Sequence, residues 1–214
     1  ARSQQRASTA QANGWFDWEM FPVEIPQRRG DPVHFHSDEG VRSNTTAESL
    51  ANLRPVFKKD GQVTAGNAST LNDGASAVLL ADAEFAQQQG WEVLGYVEDY
   101  CTSGVEPARV MSAPITAVEM LLERNQLSVL DVDVYEHNEA FASASCSVAQ
   151  ELNIPEDRFN LHGGAVSLGH PLGASGTRCL ITMLGVMRRL ESSSGIVTLC
   201  LGGGNAVAML VRRA

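Results

Sequence analysis

From residue 91 onward, hydrophobic and polar positions follow two periods in turn, one typical of strands and one typical of helices. The predicted strands cover residues 93–101, 132–136, 196–201 and 206–211, and the predicted helices cover residues 114–125, 139–152 and 172–190. Strands that alternate with helices indicate an α/β fold, in which helices cover a layered sheet. The last two strands flank Gly202-Gly203-Gly204-Asn205, which predicts a hairpin-like turn.

The N-terminal part of the chain has a weaker pattern. Residues 1–7 have a helical pattern, and Thr45 or Thr46 is placed to cap a short helix over residues 47–53. Most of the irregular features lie within residues 1–62, where aromatic, basic and acidic side chains follow one another without a clear period. We therefore expect this stretch to be a lid or binding segment rather than part of a core.

Two short runs follow this stretch. Residues 63–74 are small and polar, and they suit either a turn-rich connector or the wall of a ligand tunnel. Their composition alone favours the connector. Residues 75–81 are apolar enough to form a strand or a buried helix, and the pattern does not distinguish the two.

Composition and charge exclude several classes of protein. The chain has 214 residues, 43% of them hydrophobic, and a formal net charge of −9, which argues against nucleic acid as a main partner. An anionic ligand would need a local basic cluster. The four cysteines have no paired metal-type spacing, so we expect reduced thiols in an intracellular protein and no metal site. No apolar run is as long as a membrane span, and no signal-peptide pattern opens the chain.

Residues 163–178 concentrate candidate chemistry in one short stretch. Five glycines surround His170, and Pro171 fixes the direction of the chain directly after it. The predicted helix that follows would place its positive end beside the imidazole. A lone histidine is more often a buried structural residue, but glycines that allow a close approach favour a functional site here.

Three polar clusters lie at the ends of predicted strands or before a helix. They are His137-Asn138-Glu139, Gly169-His170-Pro171 and Cys200-Leu201-Gly202-Gly203-Gly204. Ligands usually bind at the ends of strands in α/β sheets. Together the clusters would supply a base, a group that positions water, a proton shuttle and an anion hole. Taken singly, Cys200 is more often a small buried hydrophobe and Asn138 more often a helix cap.

The clusters and their order resemble the motifs of the thiolase family. The matching stretches are Asn138-Glu139-Ala140-Phe141, Gly169-His170-Pro171, Cys200-Leu201-Gly202-Gly203-Gly204 and, similar to the pantetheine-binding segment, residues 63–74. They resemble the acetoacetyl-CoA and 3-ketoacyl-CoA branch more than the sterol-carrier-type branch. The resemblance implies reversible Claisen condensation of acetyl-CoA, or thiolysis of a 3-ketoacyl-CoA, with acetoacetyl-CoA as the expected substrate.

The resemblance also implies the fold and its division. We expect the thiolase fold, an α/β architecture, with residues 1–62 as part of the CoA-binding loop region and residues 63–91 as closing elements of the N-terminal domain. Residues 92–214 would form a complete C-terminal α/β domain.

Catalytic roles are carried over residue by residue. By resemblance, His170 would activate the acyl-accepting cysteine and donate to the thioester oxygen of the second acyl-CoA, and Asn138 would hold a water that completes this oxyanion hole. Cys200 would remove the α-proton of acetyl-CoA in condensation or protonate the leaving enolate in thiolysis. The amide of Gly202 would belong to the second oxyanion hole.

The resemblance also implies contacts to coenzyme A. Arg42 would meet the nucleotide end of CoA, Ser69 would contact pantetheine, and Met111 would line the acyl pocket. CoA thioesters would be substrates, with no permanently bound cofactor and no metal. Arg42 would also explain how a chain of net charge −9 binds a polyanion.

One departure dominates the resemblance. The family's acyl-accepting cysteine and its oligomer-forming loop have no counterpart, and none of Cys101, Cys146 and Cys179 lies in a similar motif. We therefore expect a separate N-terminal polypeptide that carries this cysteine, and an even-numbered hetero-oligomer. A smaller departure is His137, where the family commonly has a less polar residue; it is either a hydrogen-bond donor behind the site or exposed.

Two other functions are open to such a chain. A non-catalytic, thiolase-like CoA-binding or scaffolding subunit would keep the fold without turnover, but it has no physical need for His170, Asn138 and Cys200 together. A nucleotide-binding regulatory module is disfavoured, because neither glycine run fits a dinucleotide or P-loop fingerprint. We expect a cytoplasmic location, with a mitochondrial or peroxisomal matrix as the alternatives.

Overall fold

A computed structural model describes residues 1–214 of the chain. In chain order its elements are α1 (Arg2–Ala12), β1 (Val23–Ile25), β2 (Val33–Phe35), α2 (Ala47–Ala51), α3 (Ala83–Gln88), β3 (Gly95–Gly104), α4 (Ala113–Arg124), β4 (Val134–His137), α5 (Ala142–Glu151), α6 (Ala165–Leu168), α7 (Ser175–Leu190), β5 (Ser194–Leu201) and β6 (Asn205–Arg213). Short 3₁₀ helices cover Pro107–Ser112, Val129–Asp131 and Glu156–Arg158. No helix combines the length and the apolar character that a membrane crossing requires.

The main sheet has the strand order β3-β6-β5-β4. Strands β4 and β5 are parallel, with Val134 opposite Gly195, whereas β6 is antiparallel to both of its neighbours. Helices α4 and α5 cover one face of the sheet and α7 covers the other. The α/β fold predicted from the alternating pattern is confirmed.

The two faces of β4 show how the sequence builds these layers. Tyr135 points into the larger hydrophobic cluster, which α4, α5, β5 and β6 share, while Val134 points into the cluster formed with α7. Successive strand residues alternate between the two faces of a sheet. Because both faces are covered, β4 is buried along its whole length, including the polar side chains of Glu136 and His137.

The helix starts differ from the predictions for a local reason. Helix α5 begins at Ala142 rather than at residue 139, because Ala140 and Ala142 form backbone hydrogen bonds with Ser69 and Asn67. Helix α7 begins at Ser175 rather than at residue 172. In both cases the residues before the helix are held in the polar clusters described above.

The expectation of a lid without a core is wrong for the first helix. Ala7 and Ala10 of α1 are fully buried, and α1 packs against α6. After α1, Trp15 stacks on His162, and Arg189 at the end of α7 lies 3.9 Å from the centroid of the Trp15 ring. The start of the chain is thus bound to the C-terminal layer.

The later part of residues 1–62 is more open. Strands β1 and β2 form an exposed antiparallel ribbon, and Thr46 caps α2 by accepting a hydrogen bond from the backbone of Ser49 at 3.1 Å. The predicted threonine cap is therefore present.

The prediction of a strand or a buried helix over residues 75–81 is wrong. This run has no regular structure, and the exposed fractions of Leu79 and Leu80 are 78% and 72%. An apolar sequence forms a strand only where a neighbouring strand pairs with its backbone. No other segment of residues 1–214 pairs with this run.

Candidate active site

The three polar clusters lie at one edge of the main sheet. Asn138 directly follows β4, Cys200 lies near the end of the neighbouring strand β5, and His170 lies in the loop that leads to α7. The backbone amide of Asn138 donates to the carbonyl of Thr198 on β5 at 3.1 Å. Because β4 and β5 are parallel, their carboxyl ends meet at this edge.

A chain of hydrogen bonds fixes the tautomer of His170. Its Nδ1 lies 2.6 Å from Oγ of Ser175, and that hydroxyl donates to the carbonyl oxygen of Pro171 at 3.0 Å. Since the hydroxyl uses its proton on Pro171, Nδ1 must donate its hydrogen to Ser175. The other ring nitrogen, Nε2, then carries no hydrogen, and its lone pair accepts a long hydrogen bond from Nδ2 of Asn138 at 3.4 Å.

The protonation state of His170 favours a base. Partial burial is the larger cause that lowers the pKa of this imidazole, and the positive charge of Arg178 is the second. The neutral ring therefore predominates near neutral pH, and its Nε2 can accept a proton.

Asn138 is held in one orientation from several sides. Its side chain is almost completely buried, and the thiol of Cys179 lies 3.8 Å from Oδ1 as a weak donor. With its oxygen turned toward Cys179, the amide presents its NH₂ group to His170. This NH₂ group can hold a water or a substrate oxygen beside the imidazole.

Glu139 supports the glycine-rich loop that precedes His170. One of its carboxylate oxygens accepts hydrogen bonds from the hydroxyl of Ser3 on α1 and from the backbone amide of Val166 at 3.3 Å. A Cβ atom on Gly164 would lie 2.6 Å from that carboxylate, so only glycine fits there. A loop held in this way keeps His170 in a fixed position.

Residues 67–71 lie against both the Asn138 and the His170 clusters. The amide of Ser69 donates to the carbonyl of Ala140 at 2.9 Å, and the amide of His170 donates to the carbonyl of Thr70 at 3.0 Å. A Cβ atom on Gly169 would lie 2.2 Å from Asn72. Residues 63–74 have the turns and isolated bridges of the favoured connector, and they also lie against the candidate site; their role as the wall of a ligand tunnel stays a prediction.

Cys200 and Gly202 lie at the second strand end. Cys200 is partly exposed, and burial raises the pKa of its thiol, which keeps the thiol protonated near neutral pH. Gly202 is exposed and begins the turn between β5 and β6, where Gly203 and Gly204 have positive φ. Cys200 forms no hydrogen bond with His170 or Asn138, so only its position at the same sheet edge brings it to the site.

The remaining candidates lie farther from the imidazole. Arg42 is exposed, and its backbone amide donates to Oε1 of Gln4 at 2.6 Å, while its guanidinium group forms no ion pair. Met111 is partly buried in the 3₁₀ helix Pro107–Ser112, which packs against α5, β5 and β6. Neither residue forms a hydrogen bond with His170, whose side chain is bonded to Ser175 and Asn138.

His137 is buried rather than exposed. Its side chain has no solvent-exposed surface, and its Nδ1 lies 2.7 Å from Oγ of Ser145 on α5. Burial lowers the pKa of His137 to about 4, so the ring is neutral. Cys101 and Cys179 are buried and Cys146 is exposed on α5, and no group of three or more histidine, cysteine, aspartate or glutamate residues could hold a metal ion.

Sequence reasoning missed the residues behind the site. Ser175 orients His170, Cys179 orients Asn138, and Arg178 forms an ion pair with Glu136 at 3.1 Å. Ser175, Arg178 and Cys179 are three and four residues apart, the spacing of one helix face, which is the signal that could have found them.

Family models match almost the whole chain. The model described as "Thiolase, N-terminal domain" matches residues 1–84, and the one described as "Thiolase, C-terminal domain" matches residues 91–213. Part of the N-terminal domain therefore lies in this chain. The comparisons do not support the expectation that the N-terminal domain belongs to a separate polypeptide.

Similar proteins and structures agree with the family models. "Probable acetyl-CoA acyltransferase" of Staphylococcus aureus (strain MRSA252) is 48% identical over 211 residues, which cover 99% of this chain and 53% of that protein. The crystal structure of the Bacillus anthracis acetyl-CoA acetyltransferase matches with a TM-score of 0.96 at 39% identity, covering 100% of this chain and 54% of that one.

The structure of a human thiolase also matches this chain. The crystal structure of human mitochondrial 3-ketoacyl-CoA thiolase in complex with CoA matches with a TM-score of 0.94 at 37% identity, covering 100% of this chain and 53% of that one. The chain thus spans about half the length of the relatives it matches. With two family models over nearly its full length and relatives of this identity, the chain belongs to the thiolase family.

Proposed function

We propose that this chain supplies the acid–base half of a thiolase active site, which transfers acyl groups between CoA thioesters. The observation that carries the proposal is the His170 arrangement, in which Ser175 holds Nδ1 and leaves the lone pair of Nε2 beside the amide of Asn138. A scaffold has no need for an imidazole fixed in one tautomer. A base that must accept a proton at a defined point does need it.

His170 would act first. Its Nε2 would take the proton from the acyl-accepting thiol, and the thiolate would then attack the thioester carbonyl and release CoA as a thiolate, which would take its proton from the thiol of Cys200 or from solvent. The resulting Nε2–H would donate to the thioester oxygen of the second acyl-CoA, together with a water held by Asn138. The same nitrogen would thus serve as base in one half-reaction and as hydrogen-bond donor in the other.

Cys200 would move the second proton. In condensation Cys200, left as a thiolate after it has protonated the departing CoA, would take the α-proton of acetyl-CoA, and the enolate would attack the acylated nucleophile with loss of the nucleophile's thiolate. In thiolysis its thiol would return that proton to the leaving enolate. The amide of Gly202 would stabilise the oxyanion of the tetrahedral intermediate.

The substrate would be held along the open side of the site. Arg42 has a guanidinium group without an ion pair, which suits the phosphates of CoA. Ser69 would contact pantetheine and Met111 would line the acyl pocket. The names of the similar proteins, which include an acetyl-CoA acyltransferase and a 3-ketoacyl-CoA thiolase, support a short acyl or 3-ketoacyl thioester such as acetoacetyl-CoA.

The acyl-accepting cysteine would come from outside residues 1–214. A second polypeptide that carries it, in an even-numbered hetero-oligomer, stays a prediction, as does a cytoplasmic location. Intact-mass analysis of the isolated enzyme tests the first of these. A single polypeptide that contains both this cysteine and residues 1–214 would contradict it.

The activity test compares two histidines in the assembled enzyme. We expect His170→Ala to lower kcat/KM for acetoacetyl-CoA thiolysis on the order of 10³-fold, the usual size of an acid–base contribution. His34→Ala is the matched control, since His34 lies on the exposed β1–β2 ribbon and should leave turnover unchanged. An enzyme that binds CoA but shows no thiolysis or condensation would instead support the non-catalytic scaffolding subunit.

A further inference from the structure

A partly buried charged cluster lies directly behind the His170–Asn138 pair. Val134, Glu136 and Asn138 alternate onto the same side of β4 and its extension, and Val134 packs against α7 on that side. Glu136 has no solvent-exposed surface. The side chain two residues before Asn138 is therefore a carboxyl group enclosed between β4 and α7.

Arg178 on α7 is the partner of this carboxyl group. Its Nη1 lies 3.1 Å from Oε1 of Glu136. Arg178 is three residues after Ser175, which holds His170, and it directly precedes Cys179, which holds Asn138. One ion pair therefore joins the strand that carries Asn138 to the helix that orients both catalytic candidates.

The cluster contains more carboxyl groups than cations. Glu19 and Asp38, from the N-terminal part of the chain, are also near enough for the charge of Arg178 to act on their carboxyl groups, although neither forms an ion pair with it. Burial raises the pKa values of Glu136, Glu19 and Asp38, while the positive charge of Arg178 opposes each of these increases and favours the ionised form of Glu136. Arg178 is therefore the positive charge within a partly buried acidic cluster.

The ion pair is poorly suited to a purely stabilising role. Nε and Nη2 of Arg178, Oε2 of Glu136 and Oε2 of Glu19 are buried without a hydrogen-bond partner in the chain. Burying two charges costs several kcal/mol per ion, and the attraction repays this cost only when the remaining donors and acceptors are satisfied. Apolar residues of similar volume would serve packing as well or better.

Arg178 also acts on the imidazole itself. Burial is the larger cause that lowers the pKa of His170, and the positive charge of Arg178 is the second. No other charged group contributes to this shift. Loss of this charge would therefore make the imidazolium form easier to populate. It would reduce the share of the neutral ring that can accept a proton.

We propose that Arg178, held by Glu136, is a positioning residue that sets the separation of Asn138 and His170 and keeps a positive charge beside the imidazole. The inference rests on the proposed function of His170. The rival account treats the ion pair as a structural link with no effect on His170 beyond the general integrity of the fold.

The first test is an NMR titration of the His170 ring in the full chain, which needs no turnover. Arg178→Met should move the midpoint of the His170 titration to higher pH. The double variant Glu136→Gln, Arg178→Met leaves neither charge of the pair without its partner, so it should fold even if the single variant folds poorly. The midpoint of its His170 titration should also move to higher pH. A midpoint equal to that of the unaltered chain in the folded variant would overturn the proposal.

A matched cation on the same helix provides the control. Arg189 lies near the end of α7, stacks on Trp15 and donates to His162 at 3.1 Å. Arg189→Met should leave the His170 midpoint unchanged. An equal change in both variants would show that any loss of a cation from α7 has this effect, which would also overturn the proposal.

The second test separates kcat from KM in the assembled enzyme. Misplacement of a catalytic group by about 1 Å can cost about 10²-fold in rate, so we expect Arg178→Met to lower kcat roughly 10- to 100-fold with little change in KM for CoA. Arg178→Lys keeps the charge and should recover part of the loss. Unchanged kcat with only a lower melting temperature would contradict the proposal. If the unaltered enzyme shows no turnover, the proposed function fails, and the titration still decides the role of Arg178.

Discussion

The sheet edge that holds His170 and the run that holds Leu79 and Leu80 differ in the interaction partners that the rest of the chain provides for them. At the sheet edge, Ser175 and Asn138 each have partners within the chain, and they fix the imidazole between them. In the other run, the two leucines are mostly exposed, and no strand pairs with their backbone. A pattern of residue types therefore predicts structure only where the chain itself supplies the partners.

The largest expected effect concerns the sheet edge. Cys200→Ala should lower condensation and thiolysis in the assembled enzyme on the order of 10³-fold, since the variant has no group to move the α-proton. Acyl transfer onto the nucleophile should remain close to that of the unaltered enzyme. Rapid-quench measurement of the two half-reactions distinguishes these steps.

A second cysteine provides the control for this prediction. Cys146 is exposed on α5, and Cys146→Ala should leave both half-reactions unchanged. A Cys200→Ala enzyme with reduced stability but normal turnover would show that Cys200 has only a packing role.

The comparison predicts unequal stability effects for two leucines. Leu121 on α4 is fully buried in the larger cluster, so Leu121→Ala should lower the free energy of unfolding by about 2–5 kcal/mol. Leu80 is 72% exposed, and Leu80→Ala should change the free energy by less than about 0.5 kcal/mol. Urea unfolding of the chain measures both. Similar losses would show that residues 75–81 are buried in solution.

The buried His137 predicts a dependence of stability on pH. Its pKa is lowered to about 4 in the folded chain, so between about pH 6.5 and pH 4 the unfolded chain binds the extra proton. The contribution of His137 is thus fully present above pH 6.5 and is lost as the pH falls through this range. His137→Gln keeps a hydrogen-bonding side chain that does not titrate, and it should lose less stability over the same range.

Denaturant midpoints at several pH values measure this slope. The carboxyl groups of Glu136 and Glu19 are present in both chains, so their opposite pH dependence cancels in the comparison. Parallel curves for the two chains would contradict the prediction.

The smallest expected effect concerns substrate binding. Arg42→Ala should raise KM for CoA substrates about two- to fivefold and flatten their salt dependence, because an exposed charge contact is worth about 1 kcal/mol or less. Short pantetheine thioesters lack the nucleotide end and should not respond. Arg54→Ala removes another exposed arginine and serves as the control. If Arg42→Ala raised KM equally for CoA substrates and for short pantetheine thioesters, the proposed role of Arg42 would be contradicted.

Much of the C-terminal layer could be predicted from the sequence because its patterns are local. The strands and helices from residue 95 onward follow periods of two and 3.6 residues, and the glycines beside His170 indicate a close approach of the backbone. The starts of α5 and α7 could not be predicted, since they depend on hydrogen bonds to residues 67–70 and on the loop at Pro171.

The ion pair behind the site could not be predicted either, because it also depends on contacts between distant parts of the sequence. Glu136 and Arg178 are 42 residues apart, and their pairing depends on how α7 crosses the sheet. The roles of Cys200, Gly202, Arg42, Ser69 and Met111 came from the family resemblance and stay predictions. The roles of His170 and Asn138 stay predictions as well, and the hydrogen bonds of these two side chains are compatible with them.

The protonation state of His170 decides whether this imidazole can act as the proposed base. Long-range ¹H–¹⁵N NMR of the full chain near neutral pH reports which ring nitrogen carries the hydrogen. We predict a neutral ring with the hydrogen on Nδ1, donated to Ser175, and no hydrogen on Nε2. In Ser175→Ala this preference should weaken. A hydrogen on Nε2 in the unaltered chain, or an imidazolium at neutral pH, would contradict the account.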